Sequence, residues 1–167
     1  YDFLKINFGK AIIKYTVEYK VVNISEKSDS YEIVTFVERE ANSECGDVKF
    51  DESIGLHRIS INGRDLNENE LREAKSSEQS DRNFLFSKYI IPLGAGEEAT
   101  IKTVSFLEKC SRDSELWRSL SPTDGVELKV SWRPEMGLSF SVDPIHPHGA
   151  FDHPPHSEDG LLEAKIS

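Results

Sequence analysis

Cysteine is nearly absent: Cys45 and Cys110 are the only two in 167 residues. That excludes a small secreted fold stapled by several disulfides. Nothing requires these two to pair, and so cysteine-poor a chain is expected to be cytoplasmic with reduced thiols. Long apolar runs are also missing. None approaches the roughly 20 residues of a membrane-spanning helix, and no signal-peptide pattern is present. Cations are in short supply, with 20 Lys and Arg against 30 Asp and Glu, a net charge of -10. Duplex nucleic acid is therefore a poor partner, because phosphate contacts supply most of that affinity. A small anion remains compatible, since a few clustered cations or backbone N–H groups hold one locally.

Catalytic signatures are lacking as well. Cys110, Ser119 and Ser121 have no nucleophile elbow or Cys-His signature around them. Gly94-Ala95-Gly96 lacks the lysine and following helix of a phosphate loop, and is expected to be a turn between strands. The acidic residues Glu68, Glu70, Glu73 and Glu78 lack the glycine and regular oxygen spacing of a calcium loop, and suit a solvated face. The expectation is a chain that is not an enzyme, with no catalytic residues to name and ligand-binding residues left unknown.

What the chain has is strand grammar. Ile13, Tyr15, Val17, Tyr19 and Val21 alternate with Lys14, Thr16, Glu18 and Lys20, the pattern of a strand with one buried face. Residues 23–30 are polar and turn-forming, and Tyr31 to Glu38 returns as a second strand; the two are expected to pair as an antiparallel hairpin. Val48 to Phe50 is a candidate short strand. Asn62-Gly63 between extended segments predicts a tight hairpin, because both residues tolerate φ > 0. Asn67 is placed to cap one or two helical turns through Glu68 to Lys75. Strands follow over Phe84 to Ile91, Ala99 to Leu107, Val126 to Trp132, Leu138 to Val142 and Leu161 to Ile166. Ser111 to Leu120 fits either a short helix or an extended segment. Trp132 sits on the apolar side of its strand and is expected in the core; Trp117 is expected buried too.

Eight or nine short strands with at most one or two short helices predict an all-β fold. An antiparallel β-sandwich is the leading architecture, because two half-apolar sheets bury their inner faces against each other. A closed β-barrel is the alternative. No repeat or linker divides the chain, so residues 1–167 are expected to be a single domain. A chain opening on Tyr1 is expected to be a fragment of a longer protein.

The one chemically suggestive stretch is His146-Pro-His148-Gly-Ala-Phe-Asp152-His153-Pro-Pro-His156. His146 and His148 would project to one side of an extended segment. His153 and His156 could fold back across Gly149, with Asp143 or Asp152 adding oxygen. Such a donor set suits zinc, and could suit copper or nickel. The competing reading is a proline-stiffened loop between late strands, packed through Phe151. No cofactor is expected on that reading; on the other, zinc is the candidate, in a metal-binding protein or a metal-dependent enzyme that uses this loop.

Three phrases together resemble a loosely defined group of uncharacterised bacterial β-sandwich domains attached to signalling or membrane-associated effector proteins. They are Tyr19-Lys20-Val21-Val22-Asn23-Ile24-Ser25, Pro92-Leu93-Gly94-Ala95-Gly96-Glu97 and Ser121-Pro122-Thr123-Asp124-Gly125-Val126-Glu127-Leu128. The resemblance spans residues 12–142 and rests on turns and strands. It implies a sensor, stalk or interaction role beside an output module. The leading expectation is a non-catalytic regulatory domain that recognises a small anionic signal such as a cyclic nucleotide, or else a protein partner or a second copy. It carries over no catalytic residue.

Overall fold

A computed structural model describes residues 1–7, 10–38, 54–76, 84–110, 125–142, 151–152 and 155–166. The fold is mostly sheet. Its strands are β1 (Asp2–Asn7), β2 (Lys10–Val22), β3 (Asp29–Glu38), β4 (Gly55–Ile61), β5 (Arg64–Asp65), β6 (Phe84–Leu93), β7 (Glu98–Cys110), β8 (Val126–Ser131), β9 (His156–Glu158) and β10 (Leu161–Ile166), with one α-helix, α1 (Glu68–Ser76). The chain forms two compact units, residues 14–109 and residues 1–13 with 110–167, and β2 crosses the division after Ile13. Val48 to Phe50, Ser111 to Leu120, Cys45 and Trp117 lie outside the described residues.

In the unit of residues 14–109, β5, β4, β7 and β2 are hydrogen-bonded in that order, and β3 and β6 form a separate two-stranded sheet. The hairpin expected between β2 and β3 is therefore not formed. β3 instead pairs antiparallel with β6 along its full length, from Asp29↔Leu93 to Glu38↔Phe84. The physical reason lies in the core. Ile33, Ile91 and Leu93 from one sheet and Leu56, Ile59, Ala99 and Ile101 from the other bury together, with Tyr19, Val21 and Tyr31 packed against them. Crossing from one sheet to the other at residues 23–28 lets β2 and β3 face the same core from two different sheets, so that each sheet buries an apolar face.

Local chemistry sets the helix and the tight hairpin. Asn62 and Gly63 take φ of 51° and 79°, joining β4 to β5 with Ile61 opposite Arg64. Asn67 Oδ1 accepts from the backbone N–H groups of Asn69 and Glu70, and Glu70 Oε2 accepts from Asn67 N–H at 2.8 Å. This reciprocal capping box satisfies donors that the first helical turn leaves free. The helix then turns Ala74, fully buried, and Leu71 toward the core.

In the other unit the order is β1, β8, β10, β9. β8 and β10 are antiparallel, with Val130 opposite Leu162 and Leu128 opposite Ala164. Val130, Leu162 and Ala164 are buried, while Lys129 and Glu163 pair at 2.7 Å on the exposed face. One face buried and one solvated is what the alternation in Val126 to Ser131 requires.

Three expectations are corrected here. β1 runs parallel to β8, with Asp2 opposite Ser131, so the fold is not purely antiparallel. Tyr1 C=O accepts from Ser131 N–H at 2.8 Å, and Ser131 Oγ donates to Asp2 Oδ1 at 2.5 Å, fixing that register. Neither unit's sheet closes on itself as a barrel would. Leu138 to Val142 is irregular backbone, not a strand. There Phe140 packs between Phe3 and Trp132, with both ring-centroid distances 4.7 Å. That aromatic contact, not a ladder, holds the segment. Trp132 is consequently half-buried, just beyond the end of β8.

Candidate interaction surface

The β3–β6 ribbon has two unlike faces. Its inner face supplies Tyr31, Ile33, Tyr89, Ile91 and Leu93 to the core. On its outer face Val34 is 42% and Ile90 53% exposed. Val34 stands opposite Lys88, and Ile90 opposite Glu32. The two apolar side chains thus occupy one diagonal of this four-residue square, and an ion pair between Lys88 and Glu32 occupies the other. The charges are held against each other, leaving the apolar diagonal between them. Among the described residues no strand pairs with the outer edge of β3 or of β6; α1 packs beside β6.

A second group of apolar side chains is presented where β2 ends. Val22 is 47% exposed, and Ile24 is 96% exposed. The loop carrying them is tied down by Asn23. Its side-chain N–H groups point at the carbonyls of Lys27, Leu93 and Gly94 at 2.9, 3.1 and 3.0 Å. Its Oδ1 accepts from Ser25 N–H at 3.0 Å. Asn23 N–H donates to Glu97 C=O, and Asn23 C=O accepts from Gly96 N–H, both at 2.9 Å. The Glu97 carboxylate in turn accepts from Gly94 N–H at 2.6 Å. Gly94-Ala95-Gly96 is the expected turn between strands, and it forms one hydrogen-bonded body with the β2–β3 loop.

Of the four candidate metal-binding histidines, only His156 lies among the described residues; His146, His148 and His153 fall outside them. His156 opens β9 and is exposed, opposite Glu163 in register, with Nε2 3.3 Å from Glu158 Oε1. Lys129 above all holds the Glu163 carboxyl below its ordinary range, through a direct hydrogen bond and its charge. The Lys165 carbonyl, on β10, accepts from Asp152 N–H at 3.0 Å. Among the described residues no group of three or more His, Cys, Asp or Glu side chains is arranged to hold a metal ion.

The remaining histidine, His57, marks an irregularity in β4. The register steps from Leu56↔Ser105 to Arg58↔Val104, leaving His57 as the extra residue of a bulge. Its ring packs on Phe106 with centroids 4.5 Å apart. Among the described residues no helix is long and apolar enough to cross a membrane.

No protein-family model matches the chain, and no curated protein matches it in sequence.

No surface role was expected of the exposed apolar residues, although the sequence carries a signal for three of them, Val34, Ile90 and Ile24. Tyr31 to Glu38 and Phe84 to Leu93 are apolar on successive residues, not on alternate ones, as in strands with both faces covered. Ile24 stands alone within an otherwise polar turn, where no core-facing role explains it.

Proposed function

We propose that this chain is a non-catalytic β-sandwich module that binds a protein partner and thereby regulates a larger cytoplasmic bacterial signalling or defence protein. The observation that carries the reading is the outward diagonal of Val34 and Ile90 on a ribbon whose outer strand edges are unpaired among the described residues. Apolar side chains grouped on a sheet face lose unfavourable hydration when a partner covers them. An open edge offers main-chain donors and acceptors to the same partner. The sandwich architecture draws support from the shared core of the two sheets in residues 14–109. The net charge of -10 favours a partner with a cationic surface.

The test compares the full-length gene product with its Val34→Glu/Ile90→Glu double variant, both expressed in native cells and recovered by affinity. A protein retained in stoichiometric amount by the wild type and lost from a folded double variant is the expected result. An identical protein set on both overturns the reading. A thermal-shift screen with cyclic nucleotides runs beside it. A clear rise in melting temperature with one of them would instead favour recognition of a small anionic signal, because a ligand of the native state stabilises it.

A further inference from the structure

Ile24 is the most exposed large apolar side chain among the described residues. It is held at the tip of a loop that is far from slack. Its neighbour Asn23 bonds forward to Lys27 and Ser25 and across to Leu93, Gly94, Gly96 and Glu97. The backbone next to Ile24 is thus already ordered, so presenting this side chain to a partner costs little further backbone entropy, a condition that favours a strong apolar anchor. Glu26 and Asp29 follow Ile24 in the sequence, the Glu97 carbonyl accepts from Asn23 N–H, and all three acidic residues are exposed. Lys27 is the one cation within the loop, and Lys20 is already paired with Glu98. The knob is therefore apolar and its surround acidic.

We propose that Ile24 inserts into an apolar socket on a protein partner, and that the rim of this socket carries lysine or arginine. The proposal rests on the reading above, that the chain binds a protein, and adds where the anchor lies and what chemistry receives it. Charge decides between occupants. An anionic lipid surface would repel the acidic surround. A second copy of this chain, meeting tip to tip, would set like charges against each other. A cationic rim meets both requirements, because it pairs with Glu26, Asp29 and Glu97 while the socket desolvates the isoleucine.

The experiment places a photoreactive benzoyl-phenylalanine at position 24 of the full-length protein in native cells, with the same group at exposed Glu127 as control. The protein captured at 24 and not at 127 is purified. Its affinity is then measured for the wild type, Ile24→Ser, Ile24→Leu and the charge reversal Glu26→Lys/Asp29→Lys. Ile24→Ser should weaken binding about tenfold or more, from the lost burial. Ile24→Leu should stay within about threefold, as an apolar replacement of equal volume. The charge reversal should weaken binding at low salt, with the effect shrinking as salt is raised. The proposal is overturned by absence of a product specific to position 24, by capture of a second copy, or by unchanged affinity in Ile24→Ser. It is equally overturned if the chain binds vesicles of phosphatidylcholine and phosphatidylserine through Ile24. A partner that ignores Ile24→Ser but loses affinity for Val34→Glu/Ile90→Glu defeats this proposal alone. One that ignores both sets of substitutions defeats the protein-binding reading too.

Discussion

Asn23 and Gly94 lie 71 positions apart, and the side-chain amide of the first donates to the carbonyl of the second at 3.0 Å. The same amide serves Leu93 and Lys27, so one residue satisfies the backbone where two loops meet. This joint stands at the point where the chain leaves one sheet for the other. Asn23→Ala should cost about 1–3 kcal/mol, because it leaves partly buried carbonyls without their donor. Asn23→Asp should cost at least as much, since it aims a carboxylate oxygen at those carbonyls. Denaturant unfolding of the two variants checks this; wild-type midpoints for both would contradict it.

The division between core and surface isoleucines gives a second prediction. Ile33 and Ile101 are 1% and 0% exposed, against 96% for Ile24. Truncating either buried side chain to alanine should destabilise by about 2–5 kcal/mol, from lost transfer energy and the cavity left behind. Ile24→Ala should stay within about 0.5 kcal/mol. Thermal and denaturant melts of the three variants would reveal a wrong core if Ile24→Ala proved the costliest.

Acid should loosen the start of α1. A hydrogen bond from Arg64 foremost, then the Asn67 N–H, holds the Glu70 carboxyl below its ordinary value of 4.5. Arg64 makes this contact through both terminal nitrogens, each 3.1 Å from a Glu70 oxygen. A carboxyl with a lowered folded pKa contributes stability that is fully present above its unfolded pKa. That contribution is lost as pH falls through the folded pKa. Side-chain carboxyl shifts followed by NMR from pH 6 to pH 2 should show Glu70 titrating below an ordinary glutamate. In Glu70→Gln the acid-dependent fraying of residues 67–70 should be reduced. A Glu70 midpoint at or above 4.5 would contradict the assignment.

Legibility in the sequence followed the range of the interaction involved. The Asn62-Gly63 hairpin and the Asn67-capped helix are set by neighbours a few positions apart, and both formed where the residue types placed them. Strand pairing was not local. β3 has the same apolar residues to offer whether it pairs with β2 or with β6, and its place is set by a core shared with distant residues, where Ile33 buries together with Ile59 and Ile101. The parallel contact of β1 with β8 joins residues 129 apart, and nothing within Asp2–Asn7 announces it. Leu138 to Val142 alternates like a strand, yet Phe140 finds aromatic neighbours in Phe3 and Trp132 instead of a ladder. For the candidate surface the difficulty was of the same kind. Val34 and Ile90 become a common outward diagonal only through the β3–β6 register, which no local pattern specifies.

The most direct test of the account is the dissociation constant between the purified full-length protein and its captured partner, measured by calorimetry with wild type and Val34→Glu/Ile90→Glu. The account predicts at least a tenfold rise in Kd for the folded double variant, as expected when buried apolar contacts are replaced by unpaired charges. A Kd within about twofold of wild type, at unchanged stability, would contradict it.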